Sequence, residues 1–200
     1  MPRAVIWDVG NVILRWDPRT LYSKIFDDPV ECDRFLSDVC NMAWHGPTDG
    51  GVTFADNIAA LTAQHPHYAP QIAAWQSRWW EMFSGPIPET EAAIAELQAR
   101  GVKQYALTNM SHETVEGTFA MSPAFGLLDG RIVSGHEGVM KPGPEIFQLT
   151  CERFGLAPAE ALFVDDSARN IATARGLGFH TLHFTDPAAL RPTLARLGLI

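Results

Sequence analysis

Basic residues are scarce in this chain of 200 residues. Lysine and arginine total 15 against 23 aspartates and glutamates, which gives a net charge of −8. Nucleic acids and anionic membrane surfaces are bound through positively charged protein surface, so this balance argues against both as partners. A small anionic substrate is still compatible with it, because such a molecule responds to the local field of one cleft.

Cysteine and long apolar runs are scarce as well. The three cysteines, Cys32, Cys40 and Cys151, form no CxxC pair, so we expect buried free thiols in a reducing compartment. No uninterrupted apolar run approaches the roughly 20 residues of a membrane helix. The first three residues lead directly into an apolar strand, so we expect no secretory signal. The sequence predicts a cytoplasmic protein that does not contact membranes.

The chain is 46% hydrophobic, which suffices for one buried domain or for a core with a modest insert. Residues 16–84 show mostly helix signals, among them Asp17-Pro18 and Asp28-Pro29 as helix starts. From residue 85 onward, helix and strand patterns alternate, which indicates a parallel sheet with helices on both faces. We therefore predict an α/β fold, a Rossmann-like doubly wound core of residues 1–15 and 85–200, with an α-helical bundle inserted at 16–84.

Functional side chains follow three of the predicted strands. Asp8 ends the first apolar run, Thr108 ends a second, and the acid pair Asp165-Asp166 ends a third. The carboxyl ends of parallel strands meet at one edge of the sheet, where open α/β folds place their chemistry. We therefore expect these side chains to face one crevice, together with Lys141 from a short loop.

These residue types are suited to phosphoryl chemistry. A carboxylate such as Asp8 attacks phosphorus when a cation screens the repulsion between two anions, and the acid pair offers Mg²⁺ the oxygen ligands that it prefers. Lys141 neutralises the substrate phosphate, while the Thr108 hydroxyl and the following backbone amides bind its oxygens. The sequence thus predicts Mg²⁺ as cofactor and a small phosphorylated molecule as substrate.

At these positions the chain resembles the haloacid dehalogenase (HAD) superfamily, and the resemblance spans essentially its whole length. The insert falls where subclass I members have their cap, and the first motif is most similar to the Asp-x-Gly-Asn-Val branch, which includes a bacterial α-D-glucose-1-phosphate phosphatase. The four matching motifs are Trp7-Asp8-Val9-Gly10-Asn11-Val12, Leu107-Thr108-Asn109, Gly138-Val139-Met140-Lys141-Pro142 and Phe163-Val164-Asp165-Asp166-Ser167.

The resemblance implies a role for each matching residue. Asp8 is the nucleophile that forms an aspartyl-phosphate. The side chain of Asp8, the backbone carbonyl of Gly10 and the carboxylate of Asp166 bind Mg²⁺. Asp165 either supports these ligands without contacting the metal or contacts it through a metal-bound water. Asn170 either orients the acid pair or is simply a polar residue in the first turn of a helix.

The resemblance also concerns the substrate. Thr108, Asn109 and Lys141 bind the phosphoryl group, and Lys141 is also counted as catalytic. The cap chooses the substrate, and its sequence is mostly apolar and aromatic. We predict hydrolysis of a small phosphorylated metabolite, favour a sugar phosphate because of the branch, and expect a monomer or a homodimer.

Gly10 departs from the usual motif, in which a second aspartate protonates the leaving group and then activates water. Loss of such an acid/base costs roughly 10²- to 10⁴-fold in rate. Three responses are open: a substitute group, a substrate with a good leaving group, or no phosphatase activity. His45, Asp17 and His112 are candidate substitutes. His45 precedes a turn-rich stretch, residues 46–51, which we expect to be a loop of the cap.

Three rival functions stay open at this stage. In a 2-haloacid dehalogenase, Asp8 would attack carbon without a metal, and Arg19 or Arg34 of the cap would receive the halide. The acid pair at 165–166 argues against this, because a cation site has no purpose there. The second rival is a non-catalytic HAD-fold binding protein. The third is a phosphomutase, which also needs the acid/base that Gly10 lacks.

Overall fold

The computed structural model describes all 200 residues and contains seven strands and eleven α-helices. The strands are β1 (Ala4–Trp7), β2 (Leu14–Trp16), β3 (Phe83–Pro86), β4 (Lys103–Thr108), β5 (Gly130–Val133), β6 (Ala161–Asp165) and β7 (His180–His183). The helices are α1 (Arg19–Tyr22), α2 (Pro29–Asp38), α3 (Met42–Asp49), α4 (Phe54–Gln64), α5 (Ala69–Ser77), α6 (Pro88–Ala99), α7 (Val115–Phe119), α8 (Ser134–Glu137), α9 (Pro144–Phe154), α10 (Ala168–Gly176) and α11 (Leu190–Arg196).

Five strands form one parallel sheet in the order β5-β4-β1-β6-β7. The chain enters at the central strand, fills one side with β4 and β5, and then crosses β1 to add β6 and β7 on the other side. This confirms the predicted Rossmann-like α/β architecture. Strand order reverses around β1, so the crevice where such folds bind ligands lies at the carboxyl ends of β1, β4 and β6.

The central strand β1 is buried on both faces, which explains why it is a continuous apolar run rather than an alternating one. Val5 and Trp7 pack in one hydrophobic cluster, and Ala4 and Ile6 pack in another. Successive side chains of a strand point to opposite faces, so the two clusters lie on opposite sides of the sheet. This double burial fixes the register of β1 and therefore the position of the residue after it, Asp8.

A two-stranded antiparallel ribbon, β2 with β3, joins the inserted helices to the core. The sequence predicts almost only helices for residues 16–84 and gives no indication of this ribbon. Each strand is only three or four residues long, and the two are more than 60 residues apart in sequence, so neither shows an alternating pattern of its own. Our proposed boundaries at 15/16 and 84/85 fall within the ribbon.

The insert, which we call the cap, contains helices α1 to α5. Its hydrophobic cluster includes Tyr22, Phe35, Phe54 and Trp75, all at most 1% exposed. Residues 46–49, which we expected to begin a loop, instead form the end of helix α3. Asn41 caps this helix by accepting a hydrogen bond from the backbone N–H of Trp44, and packing inside the cap stabilises it despite the proline and glycine within it.

The remaining expectations from the sequence concern thiols and membranes. All three cysteines are buried and form no disulfide, as predicted. No helix combines the length and the apolar composition that crossing a bilayer requires.

Candidate active site

The sheet brings the predicted functional residues to one edge. Trp7 of β1 pairs with Ala106 of β4 on one side and with Val164 of β6 on the other. The residues that follow, Asp8 and Asp165, therefore emerge side by side at the carboxyl end of the sheet. Asp8 is fixed there by its backbone N–H, which donates to the carbonyl oxygen of Val164 at 2.9 Å.

Lys141 is the only cation in this buried cluster and is 3% exposed. Its Nζ lies 2.9 Å from Asp8 Oδ1, 2.7 Å from Asp165 Oδ2 and 2.9 Å from the carbonyl oxygen of Leu107. Burial favours the neutral amine, but attraction to Asp8 and Asp165 outweighs it, so the pKa of Lys141 lies above its usual value. The ammonium thus stays charged and uses all three of its hydrogens on protein oxygens.

Asp8 is 8% exposed, and its two oxygens have different surroundings. Oδ1 accepts from the backbone N–H of Val9 at 2.7 Å and lies against Lys141. Oδ2 accepts no hydrogen bond from the protein. Burial raises the pKa of Asp8 to about 8, Lys141 opposes the rise, and repulsion from Asp165 and Asp166 adds to it. A cation bound beside Oδ2 would lower this pKa, because it favours the ionised form.

Asp165 is fully buried, and both of its oxygens are occupied. Oδ1 accepts from the backbone N–H of Ser167 at 2.8 Å, and Oδ2 accepts from Lys141. The Asn170 side-chain amide donates to both oxygens, at 3.0 and 3.1 Å. A carboxylate with this many donors has no lone pair directed at the cavity, so its geometry suits orienting Lys141 rather than ligating a metal. Asn170 lies about one helical turn away, and both of its hydrogen bonds to the acid pair go to Asp165.

The donor set fits a divalent metal ion. One oxygen each from Asp8, Asp165 and Asp166 lie within 4.8 Å of one another. Burial raises the pKa of Asp166, and repulsion from Asp165 raises it further. Three carboxylates against one lysine leave an excess of negative charge that a hard cation would compensate. Asp8 and Asp166, together with Gly10, also line one cavity, so these are the residues that would hold Mg²⁺.

Thr108 and Asn109 line the same cavity, but their side chains differ in availability. The Asn109 amide pairs with the backbone of Lys141 in both directions, donating to its carbonyl oxygen at 2.8 Å and accepting from its N–H at 2.9 Å. Asn109 therefore positions the backbone of Lys141, and its role in binding a phosphoryl group stays a prediction. The Thr108 hydroxyl donates only a long bond, 3.3 Å, to the carbonyl of Asn109 and can turn toward a ligand.

A second cavity of about 200 Å³ lies between the cap and the sheet edge, and it meets the first at Gly10, Trp16, Thr108 and Asn109. A side chain at Gly10 would meet no atom within 4 Å at its Cβ position. The open space in front of Gly10 is therefore shared by both cavities. The lining residues of the second cavity that come from the cap and its ribbon are Trp16, Met42, His45, Asp49, Trp79 and Phe83.

Of the three candidate substitutes for the missing acid/base, only His45 lines this cavity. Asp17 accepts from the backbone N–H of Arg19 at 2.8 Å and caps the turn that leads into α1. His112 lies beside His136 and lines neither cavity. The sequence interpretation missed Asp49, which is next to His45 on the same face of α3. The signal was its spacing of four residues from His45, but the glycines and proline around it indicated a loop.

Comparison with known proteins identifies the family to which this chain belongs. The sequence profile of haloacid dehalogenase-like hydrolases matches residues 2–178. The sesquiterpene phosphatase astK of Aspergillus oryzae is 27% identical over 195 residues, which cover 98% of this chain and 96% of that protein. Matches over parts of the chain include 2-haloacid dehalogenases and phosphatases of small metabolites.

Solved structures show the same fold. A HAD-like hydrolase from Porphyromonas gingivalis has a TM-score of 0.74 at 21% identity, with 98% of each chain covered. A HAD-family enzyme from Bacteroides thetaiotaomicron, in complex with magnesium and inorganic phosphate, has a TM-score of 0.68 at 22% identity and covers 91% of this chain and 93% of that one. With its motifs at one sheet edge and its profile matched over most of its length, the chain belongs to the haloacid dehalogenase-like hydrolases.

Proposed function

We propose that this hydrolase is a Mg²⁺-dependent phosphatase that cleaves a small phosphomonoester through an aspartyl-phosphate on Asp8. The observation that carries this proposal is the asymmetry of the Asp8 carboxylate. Its Oδ1 is fixed by Lys141 and by the Val9 N–H, whereas Oδ2 has no protein partner and lies in a cavity lined by Thr108. One oxygen is thus restrained while the other is available for attack.

The reaction follows from these contacts. Asp8 Oδ2 attacks phosphorus, the bond from phosphorus to the leaving oxygen breaks, and the phosphoryl group is transferred to Asp8. Water then attacks the same phosphorus and releases inorganic phosphate, which restores the carboxylate. Lys141 neutralises charge beside Asp8 in both steps, and the Thr108 hydroxyl donates to a phosphoryl oxygen. Asp165, Asn170 and Asn109 hold Lys141 in place.

The residues that hold the cation in this proposal are Asp8, Asp166 and the backbone of Gly10. Mg²⁺, when bound, reduces the repulsion between these carboxylates and the phosphoryl oxygens. The carboxylate cluster supports this assignment by its charge and spacing. Likeness in fold to an enzyme from Bacteroides thetaiotaomicron in complex with magnesium and inorganic phosphate is in accord with it.

The substrate class depends on the cavity beneath the cap. The resemblance to the Asp-x-Gly-Asn-Val branch and to its subclass I cap favours a sugar phosphate, and this stays our prediction from the sequence. A sugar, however, needs a polar partner for each buried hydroxyl. The cap and its ribbon offer only His45, Asp49 and the unpartnered indole N–H groups of Trp16 and Trp79, in a lining that is otherwise apolar. This lining supports a second candidate, the phosphate ester of an apolar alcohol, and astK acts as a sesquiterpene phosphatase.

The proposal is tested by measuring phosphate release from acetyl phosphate, glucose 1-phosphate and a series of alkyl phosphates, with Mg²⁺ and with excess EDTA. We expect Mg²⁺-dependent release from at least one ester. Asp8→Asn should lower it by at least about 10⁴-fold, as is usual when the nucleophile is removed. Asp38→Asn, a change of an exposed cap aspartate, serves as the control. Undiminished release by Asp8→Asn would refute the nucleophile, and release in EDTA would refute the metal.

The rival function is that of a 2-haloacid dehalogenase, because two such enzymes are similar to about half of this chain. It needs a cation to receive the halide. Arg19 is exposed and paired with Asp33, and Arg34 is also exposed, so neither lines the two cavities. Chloride release from 2-chloropropionate, measured beside the phosphate assay in EDTA, distinguishes the two reactions. Metal-independent chloride release would replace the phosphatase proposal by this one.

A further inference from the structure

The cavity beneath the cap contains a buried acid that the proposed reaction has not used. Asp49 is the last residue of α3, is 8% exposed and lines the same cavity as Gly10. The rest of the cap's lining is mostly apolar or aromatic. A carboxyl group in such surroundings is costly to bury unless it has a partner.

Asp49 Oδ1 has no hydrogen-bond partner, although it is inaccessible to solvent. The nearest candidate is His45 Nε2 at 3.4 Å, which is longer than an N–H···O bond. Buried polar atoms in folded proteins are nearly always satisfied, so an exception calls for a reason. Because Oδ1 is closed off from solvent beside His45, the oxygen of Asp49 that a ligand in the cavity would contact is the other one, Oδ2.

His45 is held in one tautomer beside this acid. The Trp75 indole N–H donates to His45 Nδ1 at 3.1 Å, and an indole nitrogen can only donate. The Thr48 hydroxyl, 3.1 Å from the same nitrogen, donates to the His45 carbonyl at 2.8 Å. Nδ1 is therefore an acceptor, and the ring proton is on Nε2, facing Asp49. His45 is 2% exposed and stacks among Trp16, Phe54 and Trp79, so this orientation is rigid.

The backbone of Asp49 is hydrogen-bonded to the core, next to the loop that carries Thr108 and Asn109. Ser134 of α8 donates its hydroxyl hydrogen to the Asp49 carbonyl oxygen at 2.5 Å. The same Ser134 oxygen accepts from the backbone N–H of Met110 at 3.0 Å, two residues after Thr108. One hydroxyl therefore couples the end of α3 to the loop that carries Thr108 and Asn109, so the position of Asp49 relative to the sheet edge is fixed.

From these contacts we infer that Asp49, positioned by His45, is the acid/base of this site and replaces from the cap the carboxyl group that Gly10 lacks in the core. The inference rests on the proposed phosphatase function. In the first step the Asp49 carboxyl gives its proton to the leaving oxygen as the bond from that oxygen to phosphorus breaks. In the second step the Asp49 carboxylate takes a proton from the water that attacks the phosphorus of phosphorylated Asp8. The two steps convert a phosphomonoester and water into an alcohol and phosphate and restore both aspartates.

In the first step a proton is needed only by a poor leaving group, and this gives the test. The leaving group of acetyl phosphate departs as acetate without protonation, whereas that of butyl phosphate must depart as an alcohol. The ratio kcat/KM reports only the steps up to this departure and so excludes the second step, which is the same for both esters. We expect Asp49→Asn to lower kcat/KM for butyl phosphate by about 10²- to 10⁴-fold, the usual contribution of a general acid/base. The kcat/KM for acetyl phosphate should stay within about threefold, because its first step needs no proton from Asp49. Asp38→Asn should leave both rates unchanged.

A second variant probes the same role from the core. Position 10 has room for a side chain, and the φ of Gly10 is not in the left-handed region. In the double variant Gly10→Asp/Asp49→Asn, the new carboxyl group should raise kcat/KM for butyl phosphate at least about tenfold above that of Asp49→Asn. This is a part of the rate that a general acid/base supplies. A merely structural role of Asp49 would not be rescued from the opposite wall of the cavity.

His45 is tested as a positioning residue. His45→Leu removes the Nε2–H beside Asp49 and should reproduce, more weakly, the selective loss with butyl phosphate. His45→Gln retains an N–H donor and should restore part of that loss. Equal losses with both esters in His45→Leu would assign this histidine to packing alone.

The ratio of the two kcat/KM values within one variant does not depend on how much protein is folded. If Asp49→Asn folds poorly, the same ratio measured in Asp49→Ser decides the question. The inference is overturned if these variants lower kcat/KM equally for both esters or lower it for neither. Absence of phosphate release by the wild-type protein from any ester would instead refute the proposed phosphatase function itself, so the two failures are distinguishable.

Discussion

The two walls of the candidate active site, one from the core and one from the cap, differ in their chemistry. The core wall is charged and hydrogen-bonded: Lys141 uses every hydrogen it has, and Asp165 has donors on both oxygens. The cap wall is mostly aromatic, and an oxygen of Asp49 and the indole nitrogens of Trp16 and Trp79 have no partner there. The polar groups of the core wall are thus paired within the protein, whereas several of those in the cap wall are not.

This difference assigns separate tasks to the two walls. A charged network buried at strand ends is rigid and suits the steps that are the same for every phosphate ester. A cavity of aromatic side chains with few polar groups suits the part of the substrate that varies. In our proposals the nucleophile and the metal ligands belong to the core, and the acid/base and the leaving-group pocket belong to the cap. The two sets of residues meet at Gly10, where the absence of a side chain leaves the space open.

The largest expected effect tests the completeness of the core wall. Lys141→Met removes the cation from between two buried carboxylates, and breaking a buried pair in this way costs about 3–5 kcal/mol. We expect this loss in the free energy of unfolding, measured with urea at neutral pH, together with loss of phosphate release. Lys103→Met, which removes an exposed lysine paired with Asp129, is the matched control and should be nearly neutral. Equal destabilisation by both changes would contradict a buried network centred on Lys141.

An intermediate effect tests the metal site. Mg²⁺ at 100 times its dissociation constant should stabilise the folded protein by about 2.7 kcal/mol and raise the melting temperature. In Asp166→Asn most of this rise should be lost, because one of the proposed ligands is removed. Asp38→Asn should retain it. A full rise in the Asp166 variant, measured by calorimetry, would exclude this residue as a ligand without bearing on the reaction itself.

The smallest expected effect concerns the Ser134 hydroxyl, whose two hydrogen bonds connect the two walls. Ser134→Ala leaves the buried N–H of Met110 without an acceptor and separates Asp49 from the core. We expect a loss of about 1–3 kcal/mol in the free energy of unfolding, the usual cost of an unsatisfied buried group. Phosphate release from alkyl esters should fall more than release from acetyl phosphate. Ser37→Ala, at an exposed hydroxyl of the cap, is the control. A similar loss of stability there would contradict the role of Ser134 in connecting the two walls.

The core wall was largely predictable from the sequence, because its parts are local in the chain. Asp8 and Asp165 each follow a short apolar run, and such runs become strands whose carboxyl ends meet. Helix α9, Pro144–Phe154, is one of the helices that the alternating pattern after residue 85 predicts, and its ends are local signals, since a proline begins it and a glycine follows it. What the sequence did not indicate is that the side chain of Asn109 is committed to Lys141, since that bond joins residues 32 apart.

The cap wall was less predictable. The stretch around Gly46 and Pro47 contains turn-forming residues that predict a loop, yet it is helical because the aromatic cluster around it packs against it. Ribbon strands β2 and β3 were missed because each is too short to show alternation, and only their pairing makes them strands.

The sequence alone determined the order of the strands' functional ends, the identity of the nucleophile candidate and the vacancy at Gly10, because each depends on residues adjacent in the chain. Which cap residues line the open space beside Gly10 was decided only by the tertiary structure. Asp49 lies about forty residues from Gly10 in the sequence and is tied to the sheet edge by Ser134, a further 85 residues along. Burial in an aromatic cavity, not any local pattern, makes this carboxyl group a candidate for chemistry.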